Sequence, residues 1–377
     1  MSITTTEIRK LNCSMVYKMI YESDGVSKDM ISRELNFSLP TISQNLNTLL
    51  AANKIYRGSV QTATGGRPAV LYKFNANAKI AIGVEVLAER LNVAAVNLRG
   101  EILKNDTLEI SFLTNEAYFS LFGGWINRFI NSLERDPQDI LGIAVTIQGI
   151  VAADGEHILY GKILNSNAFS RSDFARCFSC PLTLIHDAEA AAIAEHWHDS
   201  SLENAIYLSL NPHLGSAVIL HDGVLHTPQL SSGTVEHMTL HPNGNLCYCG
   251  KRGCADAYCS ANSLLRGAAE NFPAFFQNVR IGNIKAIQIW HSYLQELALL
   301  IDNLRMVTGS DIIIGGLLAK YFSLEDLQYV KNSVLSYTTF RTVDFQIHKG
   351  YHGEKAALVG AALTFICDYL KKEALIS

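Results

Sequence analysis

"KIYRGSVQTATGGRPAVLYKFN", Lys54 to Asn75, holds two runs of β-branched and aromatic residues around a glycine-rich tip. Ile55–Val60 and Ala69–Phe74 have strand composition, and "TGGRP" is turn chemistry, so the stretch reads as a two-stranded wing. Arg67 stands between Gly66 and Pro68 on a rigid, extended tip. One guanidinium presented in that way suits the narrow minor groove of double-stranded DNA. Lys54, Arg57 and Lys73 are spaced to meet phosphates.

Three helices are predicted before the wing. "TTTE", Thr4 to Glu7, has capping-box spacing and opens a helix whose apolar face is Val16, Met19 and Ile20. Ser27 caps a second helix carrying Met30, Ile31 and Leu35, and Ser38 caps a third, with Pro40 tolerated in its first turn. Ile42, Leu46, Leu49 and Leu50 form the buried face of the third. Two short helices joined by the tight turn at Asn36–Phe37 make a helix-turn-helix pattern. Thr41, Ser43, Gln44, Asn45 and Thr48 are read as the outward face of the third helix. They are short, polar and uncharged, as base-edge readers in a major groove are, whereas an ordinary solvated face carries more Lys and Glu. Charge agrees with a polyanion partner: residues 1–79 carry 10 Lys and Arg against 5 Asp and Glu, and the remainder 21 against 30.

The chain has 377 residues, 48% of them hydrophobic and 18% charged, enough for two or three packed domains. From Lys79 onward apolar strands alternate with helical stretches. "IAIGVEV", "LNVAAVNL", "LGIAVTIQGIVA", "LTLIHDA", "AIYLSL", "SAVILHDGVL" and "DIIIGGLLA" read as strands, and Asp187–Trp197 and Asn283–Val307 as helices, which predicts α/β layers. No apolar run approaches the roughly 18–20 residues that span a bilayer. "MSITTTEIRK" lacks the apolar core of a signal peptide. The expectation is a cytoplasmic protein without a membrane segment, its eight cysteines reduced.

"HPNGNLCYCGKRGC", His241 to Cys254, places three cysteines in C-x-C-x4-C spacing, with His237 just upstream. His237, Cys247, Cys249 and Cys254 offer one imidazole and three thiolates, a set that suits tetrahedral Zn2+ with every position filled by protein. Such a closed site activates no water, so the expected role is structural. Buried thiols and a disulfide are the rival readings, and a reducing compartment weakens the second. Cys177 and Cys180 have C-x-x-C spacing but no second pair, and read as apolar thiols at a helix end.

With "TGGRPAVLYKFN" directly before the next domain, and with "CYCGKRGC" matching C-x-C-G-x-x-G-C, the chain resembles the ROK family (repressors, open reading frames, kinases) in its NagC/XylR-type repressor branch. The resemblance implies a winged helix-turn-helix over residues 1–79 and a two-lobed α/β body of the actin/hexokinase type with ribonuclease H-like lobes. The first lobe would be residues 80–188 with 357–377, closed by the helix in "GEKAALVGAALTFI". The second, with the zinc loop, would be residues 189–356, and a ligand cleft would lie between the lobes.

The family includes sugar kinases, and the resemblance tests that reading position by position. The D-x-G-G-T-like turn reads "GVEVLAERL": Glu85 keeps the acidic place, but Leu87, Ala88 and Glu89 replace the rest. The G-T-G-x-G-G phosphate loop reads "NPHLGS", keeping only Gly215. Bulk and extra negative charge oppose a triphosphate, so no enzyme activity is expected. On the sugar side, E-N-D-A-N reads "HDAEA", with Asp187 kept and His186 in place of Asn. E-x-G-H reads "TVEH", giving Thr234, Glu236 and His237, and the Leu-Glu after the last cysteine reads Ala255–Asp256. His186, Asp187, Thr234, Glu236, His237 and Asp256 are thus the expected sugar contacts, with Asn165 and Asn167 near the family's sugar loop.

The resulting expectation is a repressor of carbohydrate-utilisation genes. It would bind an operator as a homodimer or dimer of dimers and respond to a sugar or sugar phosphate. The alternatives are a regulator with a vestigial cleft controlled by a partner protein, and a sugar kinase.

Overall fold

The computed structural model describes residues 4–61, 69–152, 154–164, 169–221, 223–225, 233–266, 271–339 and 345–376, the side chains of residues 5, 6 and 59–61 aside. The chain opens with α1 (Thr5–Tyr21), α2 (Lys28–Leu35) and α3 (Leu39–Ala51), followed by β1 (Ile55–Gln61) and β2 (Ala69–Phe74). The caps are those predicted: a reciprocal Thr4–Glu7 capping box, and the Ser27 and Ser38 side chains accepting from the backbone N–H groups of Met30 and Thr41. Asn36 ends α2 in the left-handed conformation, which its short polar side chain tolerates, and so sets the sharp turn into α3. β1 and β2 pair antiparallel, Ile55 opposite Phe74.

A first five-stranded sheet follows. β3 (Ile80–Val86), β4 (Arg90–Asn97) and β5 (Ile102–Glu109) form an antiparallel meander. α4 (Glu116–Asn131) crosses one face, and β6 (Ile140–Ile147) returns parallel to β3. β7 (Ile150–Val151) and β8 (Ile158–Tyr160) make a small hairpin. After α5 (Arg171–Ala175), β9 (Leu182–His186) pairs parallel to β6 and leads directly into α6 (Asp187–His198). The sheet order is β5-β4-β3-β6-β9. β3 is buried along its whole length because the sheet is covered on both faces, and for that reason it reads as an unbroken apolar run.

The second sheet repeats this plan. β10 (Ala205–Leu210), β11 (Leu214–Leu220) and β12 (Gly223–Val224) form its meander. α7 (Asp256–Cys259), α8 (Ala261–Leu265), α9 (Phe272–Arg280) and α10 (Ile284–Thr308) lead to β13 (Asp311–Gly315), parallel to β10. α11 (Leu324–Tyr337) and β14 (Ile347–Lys349) complete it, in the order β12-β11-β10-β13-β14, and α12 (Ala356–Lys372) follows. Two sheets of one topology, each a meander with two parallel strands added, make the two-lobed α/β body.

The lobes meet where α6 crosses α12. Ala191 and Ala192 of α6 pack on Ala205, Tyr207 and Ala217 of the second sheet. α12 lies against the first sheet, and a Cβ on Gly83 would fall on the Leu358 carbonyl. At the crossing, a Cβ on Gly360 would fall on the Ala190 carbonyl, so the axes approach as closely as backbones allow. The winged helix does not swing free: Tyr21, Phe74 and Leu49 share one apolar cluster with Leu98, Leu363 and Leu370 of the body. Among the described residues no helix is long and apolar enough to cross a membrane.

Three sequence expectations change, the first being that the run at 216–225 splits, β11 ending at Leu220 and β12 pairing back antiparallel to it. The run at 141–152 breaks at Gln148–Gly149, where the chain leaves the sheet to line a cleft. β5 was not expected, since Lys104, Asn105 and Asp106 give it an exposed edge with little apolar pattern.

Candidate functional site

The outward face of α3 differs from the one expected. Ile42, Asn45, Leu46 and Leu49 follow the i, i+3, i+4, i+7 pattern of a buried stripe, and Asn45 is only 8% exposed. It cannot reach a base from there, which corrects its assignment as a reader. Gln44, Asn47 and Thr48 are exposed, while Thr41 and Ser43 are half-buried. The Thr41 hydroxyl bonds that of Ser38 at 2.9 Å, and the Ser43 hydroxyl accepts from Lys28 Nζ at 3.1 Å. Asn47 was missed, although it lies three residues from Gln44 on the same face. Arg67, Asn165 and Asn167 lie outside the described residues.

The four sulfur and nitrogen donors converge as their spacing predicts. One ligand atom from each of His237, Cys247, Cys249 and Cys254 lies within 4.8 Å of the others, a set that can hold a metal ion. Cys249 Sγ and Cys254 Sγ are 3.7 Å apart, and Cys247 Sγ lies 3.8 Å from His237 Nδ1. Tetrahedral bonds of about 2.0–2.3 Å require donor separations of this size. Gly253, at φ +82°, lets the loop turn back so tightly that a Cβ there would fall on the His241 carbonyl. Burial holds the His237 imidazole below its ordinary pKa, in the neutral form that ligates. The Tyr248 hydroxyl lies 3.4 Å from His237 Nε2, where it can orient the ring from behind.

This cluster forms one wall of a cleft between the lobes. Gln148, Tyr160 and Lys162 come from the first lobe, His186 and Asp187 from the β9–α6 junction, and His213, Glu236, His237 and Tyr248 from the second lobe. The Lys162 ammonium donates to the Cys249 carbonyl at 2.8 Å across the mouth. His186 Nε2 lies 3.2 Å from Asp187 Oδ1, which also accepts from the Ala188 N–H at 2.9 Å. Glu236 sits 3.4 Å from the Ser216 hydroxyl. Burial raises the pKa of both carboxyls, Glu236 to about 7. Closely spaced donors and acceptors in a cleft suit a small polyhydroxylated ligand.

Four of the six expected sugar residues therefore line the cleft: His186, Asp187, Glu236 and His237. Asp256 is buried behind the wall instead, which corrects its assignment, and Thr234 is half-buried directly before Val235 and Glu236. Asp256 is 3% exposed; its Oδ1 accepts from the Leu214 N–H at 2.9 Å and lies 3.4 Å from His213 Nδ1. It holds the β10–β11 turn instead of a ligand. Sequence reasoning missed His213, which packs edge-on against Tyr248 at 4.4 Å, and Lys162. Their signal was weak, one being in a turn and the other in an irregular loop.

The far side of the cleft is acidic. Glu85, Glu89, Glu109 and Glu354 line it, with Arg90 among them. Glu85 accepts from Asn92 Nδ2 at 2.6 Å, and burial pushes its pKa up to about 7. The turn in the place of a phosphate loop is filled by its own side chain: Asn211 Oδ1 accepts from the Leu317 N–H, and its Nδ2 donates to Ser209 Oγ.

A ROK family model matches residues 81–367. The xylose repressor of Bacillus subtilis (strain 168) is 24% identical over 263 residues, 69% of this chain and 68% of that protein. The DNA-binding transcriptional dual regulator NagC of Escherichia coli (strain K12) is 22% identical over 252 residues, 66% of this chain and 62% of NagC. Among solved structures, a ROK family transcriptional regulator, homolog of the E. coli MLC protein, superposes with a TM-score of 0.74 at 21% identity over 98% of both chains. A ROK family glucokinase from Streptomyces griseus, in complex with glucose and AMPPNP, gives 0.64 at 19% identity over 76% of this chain and 98% of its own.

Proposed function

Because the chain belongs to the ROK family, we propose that it is a sugar-responsive transcriptional repressor rather than a kinase. The winged helix would bind double-stranded operator DNA of carbohydrate-utilisation genes, with Gln44, Asn47 and Thr48 at base edges and Arg67 in the minor groove. Two copies or four would read paired half-sites. A sugar or sugar derivative between the lobes, held by His186, Asp187, Glu236 and His237, would change the spacing of the winged helices and release the DNA. The protein would act in the cytoplasm.

The observation that carries this reading is the joining of a helix-turn-helix to a cleft whose nucleotide side is acidic and whose phosphate-loop turn is taken up by Asn211. Asn211 occupies its own turn, and the acidic residues opposite it repel a triphosphate. His237, Cys247, Cys249 and Cys254 would hold one Zn2+, which supplies a rigid cross-link and no open coordination position.

A thermal-shift screen of the purified protein with xylose, glucose, N-acetylglucosamine, their phosphates and Mg-ATP tests the reading. A ligand that binds only the folded state raises the melting midpoint by mass action. A sugar shift without an ATP shift is the expected outcome, and an ATP shift overturns it. No shift with any sugar favours the second reading, a regulator whose input is a partner protein. The burial of Asp256, which accepts from the Leu214 N–H, supports that reading.

A further inference from the structure

One helix joins the cleft to the winged helix. Asp187, the first residue of α6, lines the cleft. Ten residues on, Trp197 Nε1 donates to the Arg99 carbonyl at 3.1 Å. Arg99 lies in the turn between β4 and β5, and its guanidinium leaves the body altogether. It donates to the Tyr21 carbonyl at the end of α1 and sits 4.3 Å from the Tyr21 ring and 5.0 Å from the Phe74 ring. Those rings meet edge-on at 5.0 Å, where α1 and β2 close the winged-helix core. The carbonyl that receives Trp197 and the guanidinium that clamps the winged helix belong to one residue. They cannot move independently.

The packing of α6 makes it a lever. Ala191 and Ala192 of α6 pack on the second sheet together with Ala356 and Ala357 of α12, while Ala190 packs with Ala144 and Ile185 of the first sheet and Ala361 of α12. Both helices thus lie between the lobes, and their backbones come very close at the Ala190–Gly360 contact, the natural pivot for a rotation of one lobe against the other. No side chain from Gly360 interdigitates there to block the turn. Ala190 is three residues from Asp187 and seven from Trp197, giving arms of about 4.5 and 10.5 Å at 1.5 Å per residue. A pivot at Ala190 would reverse and roughly double at Trp197 any movement of the cleft end. Trp197 has little slack to absorb it, since a Cβ on Gly100 would lie only 2.8 Å from its Nε1. Lys54 Nζ of the winged helix also pairs with Glu373 Oε2, just beyond α12, at 2.5 Å.

We propose that α6 is the lever through which ligand binding between the lobes reaches the winged helix, with Trp197 and Arg99 as its output contact. This rests on the sugar-responsive reading above. It has the required form for allostery: two sites, one rigid element between them, and a pivot that both lobes bias.

Hydrogen exchange of the full chain tests it, with saturating D-xylose, D-glucose and N-acetylglucosamine as probes. The proteins compared are wild type, Trp197→Phe, which keeps a ring but loses the N–H, and Arg99→Lys, which keeps the charge but loses the planar fork. A sugar that slows exchange at the β9–α6 junction should change exchange at the end of α1 and in β2 by about fivefold or more in the wild type. In both variants the cleft should still be protected, with the winged-helix response reduced to less than about twofold. A winged-helix response that persists in the variants overturns the lever and leaves the sugar reading intact. Cleft protection without any winged-helix response in the wild type does the same. Failure of all three sugars to protect the cleft overturns the sugar reading, and the lever with it.

Discussion

Asn211 Oδ1 accepts the backbone N–H of Leu317 at 2.8 Å, tying the β10–β11 turn to the end of β13. A nucleotide would need that backbone free. Mg-ATP at millimolar concentration should shift the melting midpoint by less than about 1 °C. Asn211→Ala should cost about 1–2 kcal/mol in urea denaturation, because it leaves the Leu317 N–H without this partner.

Metal content gives a second prediction. Cys249→Ser should lose about one equivalent of zinc by elemental analysis and lower the melting midpoint by about 5 °C or more, as loss of a structural cross-link does. Wild-type protein free of metal after purification without chelator would refute the site.

The α3 assignments separate by mechanism. Gln44→Ala and Asn47→Ala should each reduce discrimination among operator sequences by about 1–3 kcal/mol in gel-shift titrations at fixed salt. Asn45→Ala should leave sequence preference unchanged and act through the stability of the winged helix, since that side chain is buried. Arg67→Ala should weaken binding most at A/T-rich positions beside the half-site.

Stability should fall with pH in a defined window because of Glu85. Its pKa is near 7 in the fold against an ordinary 4.5, with burial the main cause. Between those values the unfolded chain ionises while the folded chain keeps its proton. The folded state then binds more protons, and stability drops by at most about 1.4 kcal/mol per pH unit before levelling above 7. Glu85→Gln cannot ionise. Its advantage over wild type should be absent at pH 4, grow through the window and saturate near pH 8, as read from denaturant midpoints. An advantage independent of pH would show that Glu85 does not titrate there.

Much of this architecture was legible because its signals are local. The caps at Thr4, Ser27 and Ser38 and the donors at His237, Cys247, Cys249 and Cys254 each depend on spacing within about twenty residues, and all fall where spacing puts them. Burial periodicity was legible too, but it was read too generously at Asn45, whose polarity masked its place in the Ile42–Leu46–Leu49 stripe. The cleft was legible only in part, because it is assembled from segments far apart in the chain. Nothing local to "DAYC" shows that Asp256 turns to the Leu214 amide, and nothing local to "NPHLG" brings His213 against Tyr248. The crossing of α6 and α12 likewise has only a trace in the sequence, the alanines and glycine of "AEAAAIA" and "AALVGAA".

The Ser14 hydroxyl donates to the Glu373 carbonyl across 359 positions of sequence, and Lys54 reaches the same residue across 319. Ribosomal synthesis delivers the winged helix long before the helix that moors it. For that interval the winged helix is held only by contacts nearer in sequence, such as Arg99 on Tyr21, and its mooring beside α12 has the longest contact order of all. Premature termination upstream of α12 would therefore leave the winged helix without the anchors on Ser14 and Lys54.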